Sequence, residues 1–571
     1  MIGKIKLKIN KRSASDVQKK QEFSVEKSSL RGLPNQDSEI KTPNQSSPLI
    51  KLKKSRPVVL GYRLLGENWI LTLILLAATF LRFYKLGTLP PGLHPDEAAN
   101  GLDIISMFDA HKFAAIYDTN GPREALFFYL QAIPVWIGHV FHIAAINFTP
   151  LSLRIAPAII GVLTVWGIYL LGKELFNKNV GTFAAAALAV SAWHIQFSRN
   201  GFRAIMAPLA LIFLFYFIIR ALRNGQTRDY LGAGVSLALG FYTYLSFRVT
   251  PLVLFAILVY IFFTDRGFFR KNLKKIGYLI VATIVIMIPL LIHFVHVPAD
   301  LVARSSTSIF NPVTNGGSAI GAFVSNSVKT IGMFNFSGDQ NFRQNVAGEP
   351  MLDIFIGILM WVGVAISLIR FKKLEYFILL VWFPILSLPE LLTSDGIPHA
   401  LRMVGVIPVV FVWSALGLEW VLSRIKQIKP SQTLYIGTTL ILIISGAAGF
   451  YKYFVKFPSY AEAGDAYAED MVQMAYDINT QPKGEKIILI AGEYGSKTIQ
   501  FITYSTKPDI ERLEVSGIKD LKLPADHYKI YIEKDWENDA LKELRKIGFK
   551  RSLTAIPSPR DQRILYYEYD K

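Results

Sequence analysis

The sequence predicts an all-α polytopic membrane protein with a small extracytoplasmic α/β domain at its C-terminal end. Three observations carry this. Of 571 residues, 51% are hydrophobic and only 18% are charged, too apolar a balance for the polar surface that a soluble chain of this length needs. Apolar stretches of roughly 18–24 residues recur between Trp69 and Phe454, and a helix of that length crosses a ~30 Å hydrocarbon layer. After residue 455 the pattern changes to short strands and amphipathic helices. Three domains follow: a tail over 1–68, a membrane domain over 69–455 and a soluble domain over 456–571.

The tail holds fifteen Lys or Arg against six Asp or Glu, among many Ser, Gln, Asn and Pro. It reads as a disordered basic cytoplasmic segment. Lys51, Lys53, Lys54 and Arg56 stand just before the first span, within reach of anionic headgroups. The first apolar segment starts far from Met1, so no cleavable signal peptide is expected. The net charge of +19 sits in short segments between apolar stretches, which points to insertion orientation rather than to nucleic acid. There are no cysteines; disulfides, thiolate nucleophiles and Cys-ligated metals are excluded.

The first span is expected over Trp69–Tyr84. Later apolar segments lie near 125–146, 151–172, 180–198, 204–222, 230–247, 249–264, 276–297, 352–370, 374–392, 403–423 and 433–454. The loops Lys173–Lys178, Arg220–Arg228, Arg266–Lys275, Arg370–Lys373 and Arg424–Lys429 are basic, which assigns them to the cytoplasm. The N-terminus is then cytoplasmic. The loop after Tyr84, Arg199–Arg203, residues 298–350, Ser394–Arg402 and everything after Phe454 then lie outside the plasma membrane. One conflict arises, because two full spans between Tyr84 and Lys173 would place Lys173–Lys178 outside. Either 125–146, with Pro134, His139 and His142, is bent or partly inserted and about eleven segments cross, or all twelve cross and one loop breaks the charge bias.

In the soluble domain, Ala461–Thr480 has helical periodicity and Lys486–Ala491 reads as a strand. Tyr528–Glu533 alternates, Trp536–Lys546 is helical and Arg563–Tyr569 is a strand. Ala491-Gly-Glu-Tyr-Gly-Ser after the first strand lacks a full nucleotide-binding fingerprint. The preferred reading is a structural or acceptor-docking cap.

The first external loop runs Leu89-Pro-Pro-Gly-Leu-His-Pro-Asp-Glu-Ala-Ala-Asn-Gly-Leu-Asp103. Asp96 and Glu97 are adjacent carboxylates at a membrane boundary, costly unless solvated, paired or metal-bound. Pro95 suggests a helix start, so Asp96 is either functional or an N-cap with Glu97 as first-turn acid. His94, Asp96 and Glu97 carry metal-ligating atoms, and a divalent cation is one option. Adjacent residues of a helix start diverge, so a compact three-ligand site is not expected, and no cofactor is certain. Asp103 and Asp109 are expected on a solvated helix face. Arg123 and Glu124 precede the aromatic run Leu126-Phe-Phe-Tyr129, where interfacial anchoring is the plain alternative.

A span, an external Asp-Glu loop, a cation before an aromatic segment and Leu151-x-x-Arg154-x-x-Pro157 together resemble the GT-C glycosyltransferases of family 39. These include protein O-mannosyltransferases and bacterial lipid A aminoarabinose transferases. Trp193–Arg203, Phe334–Pro350 and Ser394–Arg402 resemble further external blocks of that superfamily. The resemblance covers roughly residues 69–455. It implies a GT-C fold with an external cavity, Asp96 as the base that activates the acceptor hydroxyl, and Glu97 as its supporting acid or metal partner. Two departures stand out: Ala207 precedes Pro208 where relatives often place a second Asp, and Arg123-Glu-Ala replaces Lys-Pro-Pro.

The implied donor is a polyprenyl-phosphate-linked sugar, and the acceptor is a protein, lipid or polysaccharide. A guanidinium fork suits the phosphate, which makes Arg123, Arg199, Arg203, Arg343 and Arg402 donor-binding candidates, with His399. Each alone also reads as a headgroup or loop anchor. His94, Glu124, Asp339 and Asn345 are supporting candidates. Direct displacement would invert the anomeric carbon. The alternative function is a transporter or flippase for lipid-linked saccharides, which should show internal repeats and charges near the midplane. No clear repeat is visible, and the charges gather in one set of loops. A non-catalytic scaffold would leave the first-loop acids unexplained.

Overall fold

A computed structural model describes residues 69–301, 308–311, 318–425, 431–524 and 527–571. The basic tail expected over 1–68 lies outside the described residues.

Among the described residues, seven helices are long and apolar enough to cross a membrane. The other apolar segments form shorter helices. The expected span over 180–198 breaks at Ser191, whose extended backbone separates α5 (Lys178–Val190) from α6 (Ala192–Phe197). The segment near 125–146 is α3 (Leu126–Val140), fifteen residues with Pro134 inside. At ~1.5 Å per residue that is shorter than the hydrocarbon layer.

The membrane helices that frame the site are α1 (Trp69–Phe83), α4 (Pro150–Leu175), α7 (Met206–Asn224), α8 (Thr227–Phe241), α9 (Thr250–Thr264) and α10 (Phe268–His296). Then come α11 (Ala319–Gly332), α12 (Ile354–Ile369), α13 (Leu374–Leu391), α14 (Ile407–Ile425) and α15 (Ser431–Phe450). Thr149 caps α4 and Pro150 opens it, a start signal written in sequence. Helix α4 packs on α1, α3, α5 and α7, and α12 lies along α14. The last pair is close because Gly363 and Gly417 face backbone. A Cβ at Gly363 would sit 1.9 Å from Trp413 O, and one at Gly417 would sit 2.0 Å from Leu359 O. Helix α10 buries only Leu290. Its exposed Val281, Ile284, Val285 and Ile292 form a face that suits hydrocarbon as solvent.

Between α1 and α3 the chain forms α2 (Pro95–Asp109) and a two-stranded ribbon, β1 (Ile116–Tyr117) with β2 (Arg123–Glu124). The C-terminal module holds a five-stranded sheet in the order β4-β3-β5-β7-β6. Its strands are β3 (Lys486–Ile490), β4 (Asp509–Leu513), β5 (Tyr528–Glu533), β6 (Thr554–Pro557) and β7 (Ile564–Asp570). β3 pairs in parallel with β4 and β5, while β7 runs antiparallel to β5 and β6. The helix expected over 461–480 is two pieces, α16 (Ala461–Ala466) and α17 (Glu469–Ile478), split at Ala468 with φ 51°. α18 (Glu493–Ile502) follows β3, and α19 (Glu537–Lys546) follows β5. α18 docks on α2, where Gly101 leaves room for the Phe501 ring; a Cβ there would lie 2.3 Å from Phe501 Cδ2.

Candidate active site

His94, not Asp96, caps α2. Its Nδ1 accepts the Asp96 N–H at 3.0 Å, and Pro95 takes the first helical position. The Asp96 side chain is thereby free to face a cavity of about 290 Å³. Its carboxylate is about one-third exposed. Oδ1 accepts from Asn120 and from the Tyr494 hydroxyl, and Oδ2 faces Arg343 Nη1 at 3.4 Å. Burial pushes this carboxyl up, but His94, Tyr494, Arg343 and Asn120 outweigh it and hold Asp96 below the usual range. Burial, aided by Arg343, pushes His94 down to about 4, so its ring is neutral near pH 7.

Glu97 turns the other way. It is wholly buried, Arg154 Nε donates to its Oε2 at 3.1 Å, and Gly201 N–H donates to the same oxygen at 2.8 Å. Arg154 also donates to Pro90 O at 2.9 Å and Gly92 O at 2.7 Å. The expectation of Glu97 as a catalytic or metal-binding acid is therefore corrected: its charge is committed to tying the first loop to α4 and to the turn after α6. Asp96 and Glu97 offer no shared seat for a cation. Among the described residues no group of three or more His, Asp or Glu is gathered to hold a metal ion.

Four of the five expected arginines line the cavity: Arg123, Arg203, Arg343 and Arg402, with His399. Arg123 donates to Asp103 Oδ2 at 2.6 Å and to Asn100 Oδ1. Asp103, expected on a solvated face, is instead buried, and burial raises its pKa; Asp109 is exposed and accepts from Tyr504. Arg203 Nε donates to Glu124 Oε2 at 3.0 Å. Arg402 lies 3.6 Å from Glu390 Oε2.

Arg199 is elsewhere. It is fully buried and donates to four carbonyls at the end of α1 and in the loop that follows: Leu81 at 3.0 Å, Arg82 at 2.8 Å, Tyr84 at 2.6 Å and Leu89 at 2.9 Å. It closes the C-terminus of α1, whose last carbonyls have no partner within the helix, and it does not line the cavity, contrary to its expected place at a donor phosphate. Asp339 and Asn345 build the wall rather than the cavity surface. Asp339 accepts from Asn341 N–H at 2.8 Å and from Ala400 N–H at 2.7 Å, and burial raises its pKa to about 6. Asn345 donates to Glu349 O at 2.6 Å. The 338–350 loop is thus held against the 399–402 turn.

Sequence reasoning missed Arg248, Tyr494, Asn100, Asn120 and Glu390. Arg248 lines the cavity, and its Nη2 donates to Glu124 Oε1 at 2.9 Å, so Glu124 holds two guanidiniums at once. Its signal was legible: a lone cation at the break between the apolar segments 230–247 and 249–264. Tyr494 had no such signal.

Residues 133–293 match the family model described as dolichyl-phosphate-mannose-protein mannosyltransferase. That stretch contains Arg154, Arg203 and Arg248 and stops short of Asp96. ArnT from Cupriavidus metallidurans, solved bound to undecaprenyl phosphate, has the same fold with a TM-score of 0.51 at 12% identity, covering 88% of this chain and 98% of that one. The chain has the GT-C fold. The apo ArnT structure agrees with this fold at a TM-score of 0.50 and 12% identity, over 90% of this chain and 98% of that one. The oligosaccharyltransferase AglB from Archaeoglobus fulgidus, solved with an inhibitory peptide and a dolichol-phosphate, has a TM-score of 0.49 at 16% identity, over 86% of this chain and 70% of that one. No curated protein matches the sequence.

Proposed function

We propose that this protein is a glycosyltransferase that takes its sugar from a polyprenyl-phosphate donor and passes it to an acceptor hydroxyl on the extracytoplasmic face, with inversion. One observation carries the reading. The partly exposed carboxylate of Asp96 shares one cavity with Arg123, Arg203, Arg248, Arg343 and Arg402, while the other acids lining it are paired, Glu124 with Arg203 and Arg248 and Asp300 with His293.

In this reading Asp96 accepts the proton of the acceptor hydroxyl as its oxygen bonds to the anomeric carbon. The bond from that carbon to the phosphate oxygen breaks on the opposite side, and the phosphate keeps the electron pair. The guanidiniums offset the charge left on the phosphate. A second feature supports an anion here. With His94 Nδ1 capping α2, the neutral ring carries its proton on Nε2, which lies 3.1 Å from Arg343 Nη1. Two donors side by side offer a seat to an anionic oxygen.

The charge bias of the loops supports a cytoplasmic N-terminus, with the cavity and the C-terminal module outside a multi-pass plasma-membrane protein. The donor tail would lie in lipid while its phosphate reaches the arginines. The test is Asp96→Asn in vesicles supplied with a radiolabelled polyprenyl-phosphate hexose and a panel of protein, lipid and saccharide acceptors. Transfer should fall at least a thousandfold while the protein still inserts. A variant that transfers at the wild-type rate would sink the proposal.

A further inference from the structure

The C-terminal module places one side chain inside the site. Tyr494, the second residue of α18, donates its hydroxyl to Asp96 Oδ1 at 2.6 Å. Taking Asp96 as the base of the preceding section, we propose that the Tyr494 hydroxyl occupies the place of the acceptor hydroxyl on Asp96, and that the acceptor must displace it.

Three observations lead there. First, Oδ1 already accepts from Asn120 and Tyr494, while Oδ2 is turned toward Arg343. A general base needs an oxygen lone pair directed at the incoming hydroxyl within about 2.6–3.2 Å. A phenol O–H donating to that carboxylate already makes the contact an acceptor would make. Second, such a donor stabilises the charged carboxylate and weakens it as a base. Tyr494 is among the groups that hold Asp96 low, and its own hydroxyl is pushed up by burial and by Asp96. Removing the phenol therefore leaves a stronger base.

Third, the helix is fixed while the tyrosine side chain at its start is half exposed. Thr498 Oγ1 donates to Leu93 O at 3.0 Å, Lys497 Nζ donates to Thr119 O at 3.1 Å, and Phe501 packs on Gly101. Tyr494 itself is 46% exposed, so rotation about its χ angles carries the hydroxyl out without moving α18. The consequence is protection of the donor. Without an acceptor, water would attack the anomeric carbon, the carbon–phosphate-oxygen bond would break, and Asp96 would take the water proton. A phenol seated on Asp96 denies water that position.

The deciding experiment needs no donor. The full-length protein in nanodiscs is treated with a water-soluble carbodiimide and glycine methyl ester across pH, and modification of Asp96 is read by peptide mass spectrometry. Tyr494→Phe keeps the ring and removes the hydroxyl. It should raise Asp96 modification about tenfold, as expected for loss of a hydrogen bond to a charged group, and should move its pH midpoint upward. The exposed Asp118 serves as the unchanged control. Equal modification in wild type and Y494F overturns the proposal. With polyprenyl-phosphate mannose as probe and no acceptor, Y494F should release mannose several-fold faster than wild type, and D96N/Y494F should not. Slower or unchanged release in Y494F also overturns it. The labelling result stands apart from the D96N transfer assay, so failure of one reading is distinguishable from failure of the other.

Discussion

Glu97 and Arg154 form an ion pair, Oε2 to Nε at 3.1 Å, in which neither side chain reaches the surface. It joins the start of α2 to α4. Removing one partner of a buried pair strands the other charge. Glu97→Gln should therefore destabilise the fold by about 3–5 kcal/mol, read as a fall in the thermal unfolding midpoint in detergent. Asp96→Asn, next to it but partly exposed, should melt close to wild type. Equal melting of both variants would count against the structural role of Glu97.

If Asp96 is the base of the proposed transfer, the acid limb of activity belongs to it. Burial alone would raise its pKa, but His94, Tyr494, Arg343 and Asn120 leave a net lowering. Activity that needs the ionised form is present above this depressed pKa and lost as pH falls through it. The limb of kcat/KM should therefore lie below the ordinary Asp value of ~3.9, once acid unfolding is controlled for. A midpoint near 6 would point to a different group.

Glu124 positions both Arg203 and Arg248, with Nε at 3.0 Å and Nη2 at 2.9 Å. Arg248→Ala should raise donor KM about tenfold or more, in line with loss of a charge-assisted contact. Glu124→Gln should raise it less, because both guanidiniums remain. A change in kcat alone, with donor KM unmoved, would remove Arg248 from donor binding.

The sidedness is testable with the chain's own lack of cysteine. Asp118→Cys and Asp395→Cys place single thiols at exposed positions close in sequence to the cavity-lining Asn120 and His399. A membrane-impermeant maleimide added to intact cells should label both. Labelling of either one only after permeabilisation would refute an extracytoplasmic cavity.

Much of the architecture was legible because it depends on local pattern. The apolar segments, the Pro95 and Pro150 helix starts and the strands β3, β5 and β7 follow from periodicity and turn chemistry. Asp96, Arg343 and Arg402 were legible as site candidates because charge at a membrane boundary is costly and so informative. The same rule misled at Glu97 and Arg199. A charge there is equally costly, but it is met by Arg154 and by four carbonyls at the end of α1 and in the loop after it. Arg248 escaped notice because it stands alone between two apolar runs with no motif around it.

The sequence by itself determined that this chain lives in a membrane, where its helices fall, and which loops bear charge, because hydropathy and periodicity act over one or two helical turns. The tertiary structure alone decided which charges face the cavity and which are neutralised in the interior. It also decided that a tyrosine 398 positions away sits on Asp96. Those outcomes depend on which distant groups packing brings within hydrogen-bond range, and neither composition nor spacing along the chain encodes that distance.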